Sequence, residues 1–310
     1  MINRRKMLQR SAALGLAAAG GFALPRKSFA AVDDARPANS SRQSAAIANP
    51  LIPPAQGSIP VAFLISDGAV VIDFAGPWEV FQDVSLPSRA DAPFNLYTVG
   101  ENEKPIQASS GLKIVPDYTI ANAPAPKVIV IPAQSPASEQ TKEWIRHATK
   151  TTDVTMSVCS GAFILASTGL LSGKSATTYH GSYVRLAMQY PDVDVKRGVR
   201  FVENGNLASS GGLSCGIDLA LRVVERYFGS DVAKKTAFTM EYQGEGWMHP
   251  DSNTAYAQSF MQSVEHPVCP VCGMDPSMSL KSEYQGKTYY FCTAPHKQNF
   301  DAAPERYITG

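Results

Sequence analysis

Val154-Thr-Met-Ser-Val158-Cys159-Ser160-Gly161-Ala162-Phe163-Ile164-Leu165-Ala166 decides how this chain folds. Its first five residues read as a short strand, and the unbroken β-branched run within 127–131 before it is of the kind buried in a parallel sheet. The apolar residues that follow read as a helix over 160–168. A strand, a tight turn and a helix in that order lift a nucleophile above the end of a sheet. Gly161 permits close packing just past the turn. The helix dipole and the first helical amides favour a thiolate at Cys159, lowering its pKa below the usual value of about 8.5. The same amides, at Ser160 and Gly161, suit an oxyanion. The stretch also fits a plainer alternative, a cysteine packed as a small hydrophobe.

Working outward, strands are expected at 59–65, 94–99, 127–131, 154–158 and 199–202. Helices are expected at 76–84, opened by Pro77 in its first turn, at 138–150 with Ser138 as cap, at 182–190 and at 214–227. Strand and helix alternate through short connections, which predicts one doubly wound α/β domain over 58–250, with a mostly parallel sheet flanked by helices. Residues 31–57, rich in Ala, Ser, Asn, Pro and Gln, read as a disordered linker, and 251–265 as a second linker. The formal net charge of the 310 residues is +1, and no basic block follows the N-terminal region, which argues against a nucleic-acid partner. No later apolar run approaches the roughly 20 residues of a bilayer span, so none is expected in the mature protein.

Residues 1–30 read as a targeting segment. Arg4, Arg5, Lys6 and Arg10 precede a Gly/Ala-rich apolar stretch over 11–24, and Ser28-Phe29-Ala30 offers small residues for cleavage. The adjacent arginines resemble the twin-arginine export signal, implying a periplasmic or otherwise exported protein. The alternative is an uncleaved amphipathic start. Export permits disulfides, but the five cysteines leave at least one thiol unpaired.

Four further stretches bear on Cys159: Asp73-Phe-Ala-Gly-Pro77-Trp-Glu79-Val-Phe81, Ser109-Ser110-Gly111, Ala-Thr-Thr178-Tyr-His180, and Ser209-Ser-Gly211-Gly-Leu-Ser-Cys215-Gly216-Ile-Asp218. In this order and spacing they resemble the ThiJ/PfpI superfamily of the class I glutamine-amidotransferase-like fold, a flavodoxin-like sandwich. The branch they most resemble is that of the isonitrile hydratases. The resemblance implies that Cys159 is the nucleophile, that Asp73 is the acidic residue contacting its sulfur, and that the Ser160 hydroxyl can bind substrate or water. It also implies that His180 lies near the nucleophile, and that homodimers are usual. Gly111 sits in a loop able to present N–H groups to the site. Residue chemistry leaves alternatives open: Asp73 as a helix-cap carboxylate, His180 as a structural histidine, and Cys215 as a second thiol or a buried helix-start residue. A carboxyl beside a thiolate would have a raised pKa.

The last forty-five residues, 266–310, carry three of the cysteines. Cys269-Pro-Val-Cys272 and Cys292-Thr-Ala-Pro-His296 are two ligand pairs separated by a Gly-Lys hairpin, which suits a four-coordinate soft metal, zinc or copper. So small a module gains stability from a metal, and Tyr284, Tyr289, Phe291, Phe300 and Tyr307 would pack around it. The alternative is a Cys269–Cys272 or Cys272–Cys292 disulfide. The stretch resembles the YHS domain, many members of which have Cys where His296 stands. Together the two resemblances and the leader imply an exported cysteine-dependent lyase or hydrolase, with water addition to a small C≡N-type substrate implied by the isonitrile-hydratase resemblance and no cofactor in the α/β domain. Two other functions remain: a glyoxalase, deglycase or peptidase-like enzyme, and a non-catalytic periplasmic metal-handling or redox-sensing protein.

Overall fold

The computed structural model describes residues 47–257, 267, 269–271 and 276–308. The leader at 1–30, the 31–46 part of the first linker, 258–265 of the second and Cys272 lie outside the described residues. In chain order the elements are β1 (Ile59–Leu64), α1 (Val71–Gln82), β2 (Phe94–Gly100), β3 (Ile106–Gln107), β4 (Lys113–Ile114), β5 (Tyr118–Thr119), β6 (Val128–Ile131), α2 (Glu139–Ala148), β7 (Val154–Val158), α3 (Gly161–Ser167), β8 (Ser175–Ala176), α4 (Tyr183–Gln189), β9 (Asp194–Val195), β10 (Phe201–Asn204), β11 (Leu207–Ser210), α5 (Cys215–Phe228) and α6 (Ser230–Thr239). Seven strands form one sheet in the order β10-β11-β7-β6-β1-β2-β5, parallel throughout except for the β10–β11 hairpin.

Strand alternation sorts the core into two layers. Val61, Phe63, Val128, Val130, Met156 and Val158 face α1, α5 and α6, where Phe81, Leu219, Val223 and Ala233 meet them. Ala62, Leu64, Ile129 and Ile131 face α2, α3 and α4, against Ile145, Leu165 and Leu186. Burial on both faces is why β1 and β6 read as near-continuous apolar runs, while β7 buries Thr155 and Ser157 on its second face. From β1 the chain winds to β2 and β5, then returns to β6 on the other side of β1. A crevice therefore opens at the carboxyl ends of β1 and β6, where doubly wound sheets place their ligands.

Three sequence expectations are corrected. The first helix starts at Val71, not 76, so Asp73 lies in its first turn and Pro77 inside it. Pro77 has no N–H for the Asp73 carbonyl one turn back, yet the buried Phe74, Val80 and Phe81 hold the helix together. Residues 207–210, too polar to announce a strand, become one by pairing with β7 and β10. Part of the expected disordered linker is docked: Leu51 N–H donates to Arg226 O at 2.8 Å, and Arg226 Nε donates to Asn49 O at 2.8 Å.

In the C-terminal module β12 (Ser277–Tyr284) and β13 (Lys287–Phe291) form a hairpin followed by α7 (Ala294–Ala302). Gln285 and Gly286 both have positive φ, 51° and 74°, as a two-residue hairpin turn requires. Thr293 caps α7 through the His296 N–H. Cys269, Val271, Tyr289, Phe291, Phe300 and Tyr307 make a small core, joined at its edge by Val184 of α4. Tyr307 also reaches Met188 of α4, Oη to Sδ 3.1 Å. Among the described residues no helix is long and apolar enough to cross a membrane.

Candidate active site

The reactive turn is built from both of its ends. Cys159 is the first residue past β7 and takes φ +58°, a conformation strained for any residue but glycine. Its N–H donates to Gly211 O at 3.0 Å, and its carbonyl accepts from Thr178 Oγ1 at 2.9 Å. Next to it, a Cβ on Gly161 would lie 2.2 Å from Ile131 O and 2.8 Å from Pro132 O. Only glycine lets the start of α3 rest on the backbone at the end of β6. That contact fixes where the thiol stands above the sheet.

Asp73 reaches the same point from α1 and is fully buried. Its Oδ2 accepts the Ala133 N–H at 3.1 Å, so the carboxyl is gripped by the loop after β6 and caps nothing in its own helix. Oδ1 is buried without a hydrogen bond of ordinary geometry. The carboxyl lies close enough to the Cys159 thiol for each group to perturb the other. Burial raises the Asp73 carboxyl to about 6, against the pull of the Ala133 amide and the thiol. Burial first, then the Asp73 charge, pushes the thiol up to about 12, while the Ser160 and Leu213 amides pull it down. The expected depression of the thiol pKa is therefore reversed. The helix-start amide acts in the expected direction, and burial beside a carboxylate outweighs it. At neutral pH the pair shares one proton, resting on sulfur with the carboxylate beside it to receive it.

The other site residues fall into place unevenly. Ser160 is partly exposed, and its hydroxyl has no hydrogen-bond partner among the described residues, so it is open to a ligand. The loop at 109–111 packs on the start of α1, where Ser109 Oγ accepts the Val71 N–H at 3.2 Å. The N–H of Gly111 itself is committed to Ala108 O at 3.0 Å. His180 lies among aromatic rings, with centroids 4.3 Å from Tyr179 and 5.0 Å from Tyr256, and burial lowers its pKa. Cys215, 2 % exposed, opens α5, and burial raises its thiol to about 11.

Sequence reading missed a buried cluster beneath the 211–214 turn. Arg200 pairs with the fully buried Asp218, Tyr242 Oη donates to Asp218 Oδ1 at 3.0 Å, and the Trp247 N–H adds to the carboxylate. Arg200 also reaches Ser214 Oγ at 3.3 Å. Asp218 in the quoted 209–218 stretch was the one available signal. Its partner eighteen positions upstream carried none.

In the C-terminal module the structure gathers Cys269, Cys292 and His296, whose donor atoms all lie within 4.8 Å of one another. The His296 Nδ1 is 3.1 Å from Cys292 Sγ and 3.7 Å from Cys269 Sγ. Around a tetrahedral zinc, bonds of about 2.3 Å to sulfur and 2.0 Å to nitrogen put S and N roughly 3.5 Å apart. The donor set thus fits a thiolate–imidazole metal site; Cys272, the fourth ligand expected from the sequence, lies outside the described residues.

A doubly wound sheet with a cysteine at a strained strand-to-helix turn and a buried carboxyl against it defines the class: the chain belongs to the DJ-1/PfpI family, matched over residues 60–226. Residues 268–310 match the YHS domain. The chain is 32% identical over 190 residues to the isonitrile hydratase of Pseudomonas putida, across 60% of this chain and 79% of that protein. It is 27% identical over 182 residues to protein dj-1beta of Drosophila melanogaster, across 56% and 96%. A crystal structure of a THiJ/PfpI family protein from Pseudomonas syringae superposes with a TM-score of 0.55 at 22% identity, across 71% of this chain and 96% of that one.

Proposed function

We propose that this protein is an exported, cysteine-dependent enzyme that adds water to an isonitrile, joined to a metal-binding C-terminal module. The observation that carries the reading is the fully buried Asp73 carboxyl beside the Cys159 thiol, with one of its oxygens left without a hydrogen bond. As the sulfur attacks the terminal carbon of R–N≡C, Asp73 takes the thiol proton and passes it to that carbon, giving Cys159–S–CH=N–R. Water then adds to the carbon, nitrogen takes a proton, and the C–S bond breaks. The products are R–NH–CHO and the original thiol. Ser160 can orient the water, and the Ser160 amide steadies negative charge on sulfur. With Cys159 only 8 % exposed and Asp73 fully buried, the pair suits a small rod-shaped reactant better than a peptide.

A metal held by Cys269, Cys272, Cys292 and His296 would cross-link the small module and stabilise its fold. Export rests on the basic leader and its resemblance to a twin-arginine signal. The test incubates the purified protein and its Cys159→Ala variant with an isonitrile and, separately, with methylglyoxal. Formamide production that depends on Cys159 supports the reading. Turnover of methylglyoxal alone moves the function to the glyoxalase type, and no turnover of either moves it to a sensing or metal-handling role.

A further inference from the structure

The strained backbone of Cys159 is held largely from outside its own strand and helix. Its φ of +58° lies in the left-handed region, where strain persists only if the surroundings impose it. The Cys159 N–H donates to Gly211 O at 3.0 Å. Its carbonyl accepts from Thr178 Oγ1 at 2.9 Å, with the Ala162 N–H a longer second donor at 3.4 Å. Of these three partners, Thr178 alone acts through a side chain. That side chain is fully buried.

Both outside restraints trace to one piece of scaffold, the β10–β11 hairpin. Gly211 directly follows β11. The chain that carries Thr178 is tied to the same hairpin. Ser209 Oγ of β11 accepts the Thr177 N–H at 2.8 Å, and Asn204 Nδ2 of β10 donates to Ser175 O at 2.6 Å. The hairpin thus sets the place from which the Thr178 hydroxyl grips the reactive turn.

The carbonyl it grips belongs to the peptide that joins Cys159 to Ser160. That peptide is planar and trans, so its C=O and N–H point in opposite directions. Holding the Cys159 oxygen therefore fixes the direction of the Ser160 N–H, the amide that pulls the thiol pKa down. Without the hydroxyl the peptide is free to rotate toward an unstrained conformation, and the Ser160 N–H turns with it.

We propose that Thr178 is a positioning residue for the nucleophile: its hydroxyl holds the Cys159 carbonyl, keeps the turn in its left-handed conformation and fixes the direction of the Ser160 N–H. The role rests on Cys159 being the nucleophile of the proposed reaction.

The experiment compares the full-length protein with Thr178→Val and Thr178→Ala, which lose the hydroxyl, and with Thr178→Ser, which keeps it. Thr177→Val is the matched control, since the Thr177 hydroxyl is as deeply buried but donates to Lys196 O, at 2.8 Å. Alkylation of Cys159 by iodoacetamide is followed across pH by the mass of its peptide, beside kcat and KM for hydration of an alkyl isonitrile. The two hydroxyl-free variants should alkylate about three- to tenfold more slowly at a given pH below the midpoint, because less of the thiol is ionised. They should lose about 10- to 100-fold in kcat with KM unchanged, as for a misplaced reacting group. Thr178→Ser should stay within about threefold of the wild type in both readouts. Thr177→Val should lose thermal stability alone. Wild-type alkylation and kcat in the hydroxyl-free variants, an equal loss in Thr177→Val, or no rescue by Thr178→Ser overturns the proposal. No hydration by the wild type, with alkylation responding as stated, defeats the isonitrile reading and leaves the role of Thr178 standing.

Discussion

Replacing Gly161 with alanine adds one carbon where three backbone atoms already stand. The new Cβ would be 2.2 Å from Ile131 O, 2.8 Å from Pro132 O and 2.9 Å from Pro132 C. No side chain can rotate away, because all three atoms belong to the backbone at the end of β6. Restoring ordinary contact requires α3 to lift by about 1 Å, and overpacking of this kind costs about 1–3 kcal/mol, occasionally more. At 3 kcal/mol and a denaturant slope of about 3 kcal/mol per molar, the urea midpoint falls by about 1 M. Cys159 and Ser160 move with the helix, and a 1 Å misplacement of reacting groups costs about 100-fold in turnover. Urea unfolding followed by circular dichroism, with isonitrile hydration measured on the folded protein, tests both effects. Gly173→Ala is the control, since its Cβ meets nothing within 4 Å and pays only for the positive φ of 68°. If Gly161→Ala unfolds and turns over like the wild type, the close approach that positions the nucleophile is not real.

The raised pKa of Asp73 makes stability and activity depend on pH in opposite directions. Between its ordinary value of about 3.9 and about 6 the native state keeps a proton that the unfolded chain has lost, so stability falls as pH rises through that window. Asp73→Asn should flatten this slope and raise stability at pH 7 by up to about 3 kcal/mol, as read by thermal unfolding. Activity needs the carboxylate to take the thiol proton, so kcat/KM should rise with pH through a midpoint near 6. Breaking the buried pair with Arg200→Met should cost about 3–5 kcal/mol, while Arg200→Met with Asp218→Leu should recover part of it. Metal analysis should find one zinc or copper per chain, lost in Cys292→Ser with His296→Ala; no metal together with a mapped disulfide to Cys272 rules the site out.

Much of the fold was legible because its strands are two-sided. Val128–Ile131 is apolar without interruption, Val154–Val158 breaks its apolar residues only with the small Thr155 and Ser157, and the seven-stranded sheet buries both faces of each. Pro77 misled the reading of α1: proline favours a first turn, whereas here Phe74, Val80 and Phe81 bury enough surface to carry the helix through it. The Leu207–Ser210 strand gave no local signal, since its place between β7 and β10 is a long-range pairing. At the site, the strand-turn-helix pattern marked Cys159, and resemblance marked Asp73. The protonation state was out of reach of the sequence because it depends on burial of two groups brought together across eighty-six positions.

The proton shared between Cys159 and Asp73 is the core of the account, and one comparison tests it most directly. Isonitrile hydration and Cys159 alkylation are measured across pH in wild type and Asp73→Asn. With the carboxylate gone, the thiol loses the charge that raises its pKa, so alkylation should shift to lower pH. Hydration should fall by about 10²–10⁴-fold, because nothing carries the proton to carbon. Wild-type hydration by Asp73→Asn, with an unmoved alkylation midpoint, would contradict the account.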